Sequence, residues 1–167
     1  MNTLLLLALA SIKRVGDLHA FSVNESCLEF GPADSQVILR PRLGYVPKVP
    51  TTPFRDQVVS LQSLPPEEAD PALAVLCPVR ALRWYVDRTQ SFRTSDQLFV
   101  CFGGRQKGNA VSKQKMAHWI VDAITLAYQA QGVPCPLRLR AHSTRSVASS
   151  WALAHGASLT DICRAAD

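Results

Sequence analysis

The chain has 167 residues, 47% of them hydrophobic and 19% charged, which is enough apolar material for one domain with a real core and excludes a disordered chain. Lys and Arg number 18 against 13 Asp and Glu, and the resulting +5 favours an anionic partner without choosing among them.

Residues 3 to about 13, in "MNTLLLLALAS" and beyond, have the Leu and Ala content of a helix. The apolar run resembles the core of an export signal. It lacks a basic leading region, however, continues without a break into "IKRVGDL" and is too short to span a bilayer. It reads as a buried first helix, so neither secretion nor membrane attachment is expected. "RVGDLHAFSV" then leads into a strand pair, "SQVILRPR" and "FRDQVVSL", separated by "LGYVPKVPTTP", whose prolines suit an exposed connection. "LPPEEADPA" is an acidic, proline-rich loop.

In "CPVRALRWYVDRT" Pro78 takes a first helical position and Val79, Leu82 and Val86 recur at helical spacing. Arg80, Arg83 and Arg88 read as a solvated face, with Arg83 and Asp87 paired at i,i+4. "QLFVCFGG" reads as a buried strand ending in a glycine turn. "VSKQKMAHWIVDAITLAYQAQG" is the clearest helix, with Ser112 as N-cap and Gly132 as terminator. Its apolar stripe is Met116, Trp119, Ile120, Ala123, Ile124 and Ala127.

The next helix, "STRSVASSWALAH", is expected to bury Val147, Trp151 and Ala154 and to stop at Gly156. "SLTDICRAA" opens with Ser158 and Asp161 in a capping-box-like pattern and sets Leu159, Ile162, Cys163 and Ala166 on one face. The expected fold class is therefore mainly α with a small antiparallel β-sheet, an α+β arrangement. Cys27, Cys77, Cys101, Cys135 and Cys163 are odd in number and never spaced C-x-x-C, which suggests neither zinc ligands nor disulfides. A reduced compartment, nucleus or cytoplasm, fits, and no metal or other cofactor is expected.

The placement of the cations is less ordinary. His142 and Arg145 open the helix at 143, Arg138 and Arg140 precede it in "PLRLR", and Lys113 and Lys115 open the earlier helix. A helix N-terminus carries positive dipole character, so cations there call for an anion, phosphate first. Each alone has a plainer explanation. Arg14 is a helix-end dipole partner, Lys48 a solvated loop residue, His142 a backbone-bonding helix start, and the remaining four a solubilising surface.

Taken in order, "RVGDL", Lys48, "HSTR" and "AHGASLTDICRAA" resemble the catalytic domain of the tyrosine recombinases, the phage-integrase family. The likeness is greatest to the Cre-type branch and to the recombinases of DIRS-like retroelements, and it runs from about residue 3 to 167. The family carries Arg-x-x-Glu/Asp-Leu, a Lys on a β-hairpin and then His-x-x-Arg. The resemblance implies a catalytic set of Arg14, Lys48, His142 and Arg145, supported by Asp17, acting on a phosphodiester of double-stranded DNA. Two guanidiniums would hold the non-bridging oxygens, Lys48 would protonate the departing 5′-oxygen, and His142 would move protons near neutral pH. Lys113, Lys115, Arg138 and Arg140 are candidate phosphate contacts.

The family's nucleophile is a tyrosine beyond the last motif, whereas Tyr45, Tyr85 and Tyr128 all precede His142. The resemblance therefore implies one partial catalytic domain over 1–167, without the N-terminal core-binding domain or the tyrosine-bearing segment. Such a domain would be inactive alone unless a partner on DNA, such as a second copy, supplied the tyrosine. The alternative is a non-catalytic DNA-binding or interaction module derived from a mobile element.

Overall fold

The computed structural model describes residues 2–47, 58–65 and 74–166. Among them, six helices surround a three-stranded antiparallel sheet, so the α+β expectation holds. Helix α1 (Asn2–Ser11) buries Thr3, Leu4, Leu7, Ala8 and Ser11. The leader-like run is thus a core helix. It ends at Ser11, two residues earlier than expected, because Ile12 adopts φ 58°. A β-branched residue in the left-handed region is sterically costly and cannot continue a helix. Burial of Ile12 against Ala148 and Ala166 holds it there.

A single turn, α2 (Val15–Leu18), follows, then β1 (Leu28–Phe30), β2 (Gln36–Leu39) and β3 (Val59–Gln62) in sheet order β1-β2-β3. Val37 faces Phe30 on one side and Leu61 on the other, and Leu39 faces Leu28 and Val59. Val37 and Leu39 are fully buried, so the period-2 pattern of "QVIL" fixes the register. β2 falls within the first expected strand, β3 overlaps the end of the second and runs one residue past it, and β1 was not anticipated.

Helix α3 (Pro78–Gln90) has Pro78 in its first turn and buries Val79, Leu82, Tyr85 and Thr89. The expected Arg83–Asp87 pair does not form. Arg83 instead bonds Asp34 through Nε (2.9 Å) and Nη2 (2.7 Å) and lies 3.7 Å from the Phe30 ring centroid. A fork with both an acid and a ring face to engage outweighs an exposed i,i+4 pair.

"QLFVC" is buried as expected but is not a strand, since it makes only isolated bridges, Ser22 with Gln97 and Val100 with Ala110. Backbone bonds to Phe21, Asn109 and Val111 serve Leu98, Cys101 and Phe99, and side chains serve the groups between them. The Tyr85 hydroxyl accepts from Val100 N–H (2.8 Å) and donates to the Val100 carbonyl (3.2 Å), while Arg93 Nη1 donates to the carbonyls of Gln97 and Leu98.

Helix α4 (Lys113–Ala130) has the expected cap, Ser112 Oγ accepting from Lys115 N–H, and the expected end at Gly132, φ 66°. Met116, Ile120 and Ala123 are buried and Trp119 and Ile124 partly so; Ala127 is exposed, because the last turns of α4 run past the core. Helix α5 (Ser143–Ala154) departs furthest from expectation. It buries Thr144 and Ala148, while Val147 (59% exposed), Trp151 (63%) and Ala154 face solvent. The helix packs against α1 through its smallest residues, which lets the two backbones approach. Val147 and Trp151 are left at the rim of an apolar hollow of about 570 Å3 that Leu9, Leu61 and Leu76 also line.

Helix α6 (Leu159–Ala166) has the expected Ser158 cap, with Asp161 N–H donating to Ser158 Oγ at 3.1 Å. Of its predicted face only Ala166 is buried; Ile162 is half-buried, and Leu159 and Cys163 are exposed. All five cysteines are free thiols. Among the described residues, no helix is long and apolar enough to cross a membrane.

Tyr85→Phe removes the hydroxyl that serves both polar groups of buried Val100. It is expected to lower unfolding free energy by about 1–3 kcal/mol, the cost of orphaned buried groups. Urea denaturation checks this, and an unchanged midpoint contradicts it.

Candidate functional site

The left-handed Ile12 turns the chain out of α1 and delivers Lys13 and Arg14 to the start of α2. Lys13 is buried at 3% exposure and Arg14 half-buried. The Arg14 carbonyl accepts from the Asp17 and Leu18 amides at 2.9 and 3.0 Å. The Asp17 carboxylate closes the turn, Oδ2 accepting from Arg14 N–H at 2.9 Å and Oδ1 from the Tyr45 hydroxyl at 2.6 Å. Asp17 is 5% exposed, and two short bonds make a carboxylate tolerable there. Both of its oxygens are thus engaged within the fold.

Tyr45 reaches Asp17 because residues 42–45 form a tight turn. Tyr45 N–H donates to the Arg42 carbonyl at 3.2 Å, and Gly44 takes φ 80°, a conformation glycine supplies at no steric cost. Burial pushes the Tyr45 phenol well above its ordinary value; the bond to Asp17 and that residue's charge push the same way, and the nearby positive charge of Arg14 opposes them. Lys48, three residues past Tyr45, lies outside the described residues.

The second part of the site is the turn into α5. Ser143 N–H donates to the Arg140 carbonyl (2.9 Å), and buried Thr144 Oγ1 donates to the Ala141 carbonyl (2.7 Å). His142 stands exposed at the N-cap position in αR conformation, contributing no side-chain cap bond. Arg145 is half-buried, with its Nη1 shut off from solvent.

Ile12 joins the two parts. It packs on Ala148, one turn beyond Arg145, and lies two residues before Arg14. The structure thus seats the corner that carries Arg14 against the helix that carries His142 and Arg145.

The other candidates divide. Lys113, the first residue of α4, is exposed, as are Arg138 (φ 67°) and Arg140 before α5. Lys115 is engaged with the protein itself, its Nζ 3.5 Å from Cys101 Sγ and 5.8 Å from the Trp119 ring centroid. Among the described residues, Arg40, Arg83 and Arg164 pair with acids, and Arg80 and Arg93 donate to backbone carbonyls. Arg14, Lys113, Arg138 and Arg140 have no such acceptor among them. Sequence reasoning missed Tyr45, whose one signal was its position just ahead of Lys48, and the basic residues His19 and Arg42.

No protein-family model, curated protein or solved structure matches the chain.

Because the folded Tyr45 pKa is raised, its contribution to stability is fully present below the ordinary phenol value near 10 and declines as pH rises above it. The unfolding free energy of wild type minus that of Tyr45→Phe is expected to stay level up to about pH 10 and then fall. Urea titrations across that range check this, and a difference that rises with pH contradicts it.

Proposed function

We propose that the chain binds the backbone of double-stranded DNA as the phosphate-holding part of a tyrosine-recombinase catalytic domain. The observation that carries this reading is the packing of Ile12 on Ala148, which sets the Arg14 corner against the helix that opens with His142 and Arg145. Two permanently charged planar forks suit a phosphodiester and the extra negative charge of its pentavalent transition state. His142, exposed at the helix start, is available to exchange protons. Lys48 is assigned the protonation of the leaving 5′-oxygen by resemblance alone. The partner is duplex DNA, the compartment nucleus or cytoplasm, and the use of a second copy on DNA remains part of the proposal.

A specific observation favours the second reading, binding without cleavage by this chain. Tyr85 sits in the core bonded to Val100, and Tyr45 is committed to Asp17. Burial holds both phenols protonated, whereas attack on phosphorus needs a phenolate or a base to make one. Cleavage would then require a tyrosine other than these two.

Binding of a mixed-sequence duplex, followed by fluorescence anisotropy, is expected to weaken steeply with salt, with a slope of about −0.9 per phosphate neutralised. Arg14→Ala and Arg145→Ala should each cost about tenfold, the scale of a charge-assisted hydrogen bond, with an unchanged circular-dichroism spectrum. Affinity indifferent to salt contradicts the reading, as does loss of helical signal in Arg145→Ala. Incubation with a nicked duplex should yield no covalent adduct, and an adduct would overturn the second reading.

A further inference from the structure

Three further basic residues meet beyond the corner. His19 directly follows α2, Arg42 directly follows the bridge between Phe21 and Pro41, and Lys113 opens α4. Backbone contacts bring the three segments together. Gln97 Nε2 donates to the His19 carbonyl at 2.9 Å and to the Val111 carbonyl at 3.5 Å, while Arg42 N–H donates to the Ala20 carbonyl at 2.9 Å. Arg42 is thereby bonded to the residue after His19, and Lys113 lies two residues beyond Val111.

The side chains of Arg42 and Lys113 are exposed, and no described carboxylate forms an ion pair with either. Asp96 lines one hollow with Arg42, yet no ion pair joins them. Burial, and then the charges of Lys113 and Arg42, hold the His19 imidazole below its ordinary value, with the Val111 backbone acting in the opposite sense. Left to itself the cluster is self-repelling. An oxyanion seated among the three groups would attract each of them, offset their mutual repulsion and favour protonation of His19.

From this geometry we propose that His19, Arg42 and Lys113 form a second phosphate site, which takes a backbone phosphodiester of the same duplex that Arg14 and Arg145 hold. The proposal rests on the duplex-binding reading above. The two sites are joined twice by short rigid pieces. The turn from Arg42 to Tyr45 ends on Asp17 beside Arg14, and α2 separates Arg14 from His19 by five residues. At about 1.5 Å of rise per residue that separation is about 7 Å. One DNA strand presents a phosphate roughly every 3.4 Å of axis, so groups this far apart can meet different phosphates of one strand. The second site would set the direction in which the strand leaves the first.

The test uses the full chain and a double variant, Arg42→Ala with Lys113→Ala, both changes on exposed side chains. Duplex affinity is measured by anisotropy against salt, and the His19 imidazole is titrated by NMR alone, with inorganic phosphate and with a short duplex. The proposal expects the double variant to lose roughly ten- to a hundredfold in affinity and to show a salt slope shallower by about one. It also expects duplex to raise the His19 pKa in wild type and not in the variant, with a smaller rise from inorganic phosphate. Wild-type affinity and slope in the double variant would overturn the site and leave the duplex reading standing. A His19 response to inorganic phosphate with no duplex binding by wild type would overturn the DNA assignment and the duplex reading together.

Discussion

The carboxylate of Asp17 is the constraint on which the rest of the arrangement depends. One oxygen takes the Arg14 amide and the other takes the Tyr45 hydroxyl, so a single buried group ties the corner after α1 to the turn that leads toward Lys48. A carboxylate at 5% exposure is costly unless both oxygens are satisfied, and here they are. Removing either partner would leave an orphaned oxygen in the interior. The bond therefore specifies where the 42–45 turn sits relative to α2, and with it the placement of Arg42 and Arg14. The polar link is small, but it ties the turn that carries Arg42 to the corner that carries Arg14.

Ile12 completes the frame from the apolar side. Its left-handed backbone costs conformational energy that a glycine would not incur, and its side chain offsets this by burial against Ala148 and Ala166. Backbone strain held in place by packing is common where a chain must present groups at a defined angle. In this chain the strained residue immediately precedes Lys13 and Arg14 and touches the helix that carries Arg145. The small face of α5 serves the same end, since Thr144 and Ala148 permit close approach to α1 where Val147 or Trp151 would hold it away.

Much of the fold was legible because it rests on local rules. Ser112 and Gly132 bound α4, Ser158 caps α6, Pro78 opens α3, and "QVIL" alternates as a half-buried strand should. The errors came where long-range contacts override local pattern. Arg83 found Asp34 and Phe30, some fifty residues upstream, in place of Asp87 four residues away. "QLFVC" divides its backbone bonds between two different segments, around Phe21 and around Asn109 to Val111, and the side chains of Tyr85 and Arg93 instead of one neighbouring strand. The buried face of α5 was misassigned because hydrophobicity predicts burial, whereas close helix packing selected small residues. At the site, "RVGD" and "HSTR" stood out as motifs, but no local pattern could connect Tyr45 to Asp17, 28 residues apart, or His19 to Lys113.

The central claim is that Arg14 and Arg145 grip one DNA phosphate. A crystal structure of the chain bound to a short duplex tests it most directly. The account predicts a backbone phosphate with non-bridging oxygens about 3 Å from both guanidiniums, and His142 facing the same phosphorus. A duplex bound on another face, or the two guanidiniums directed at separate protein acceptors while DNA is bound, would contradict it.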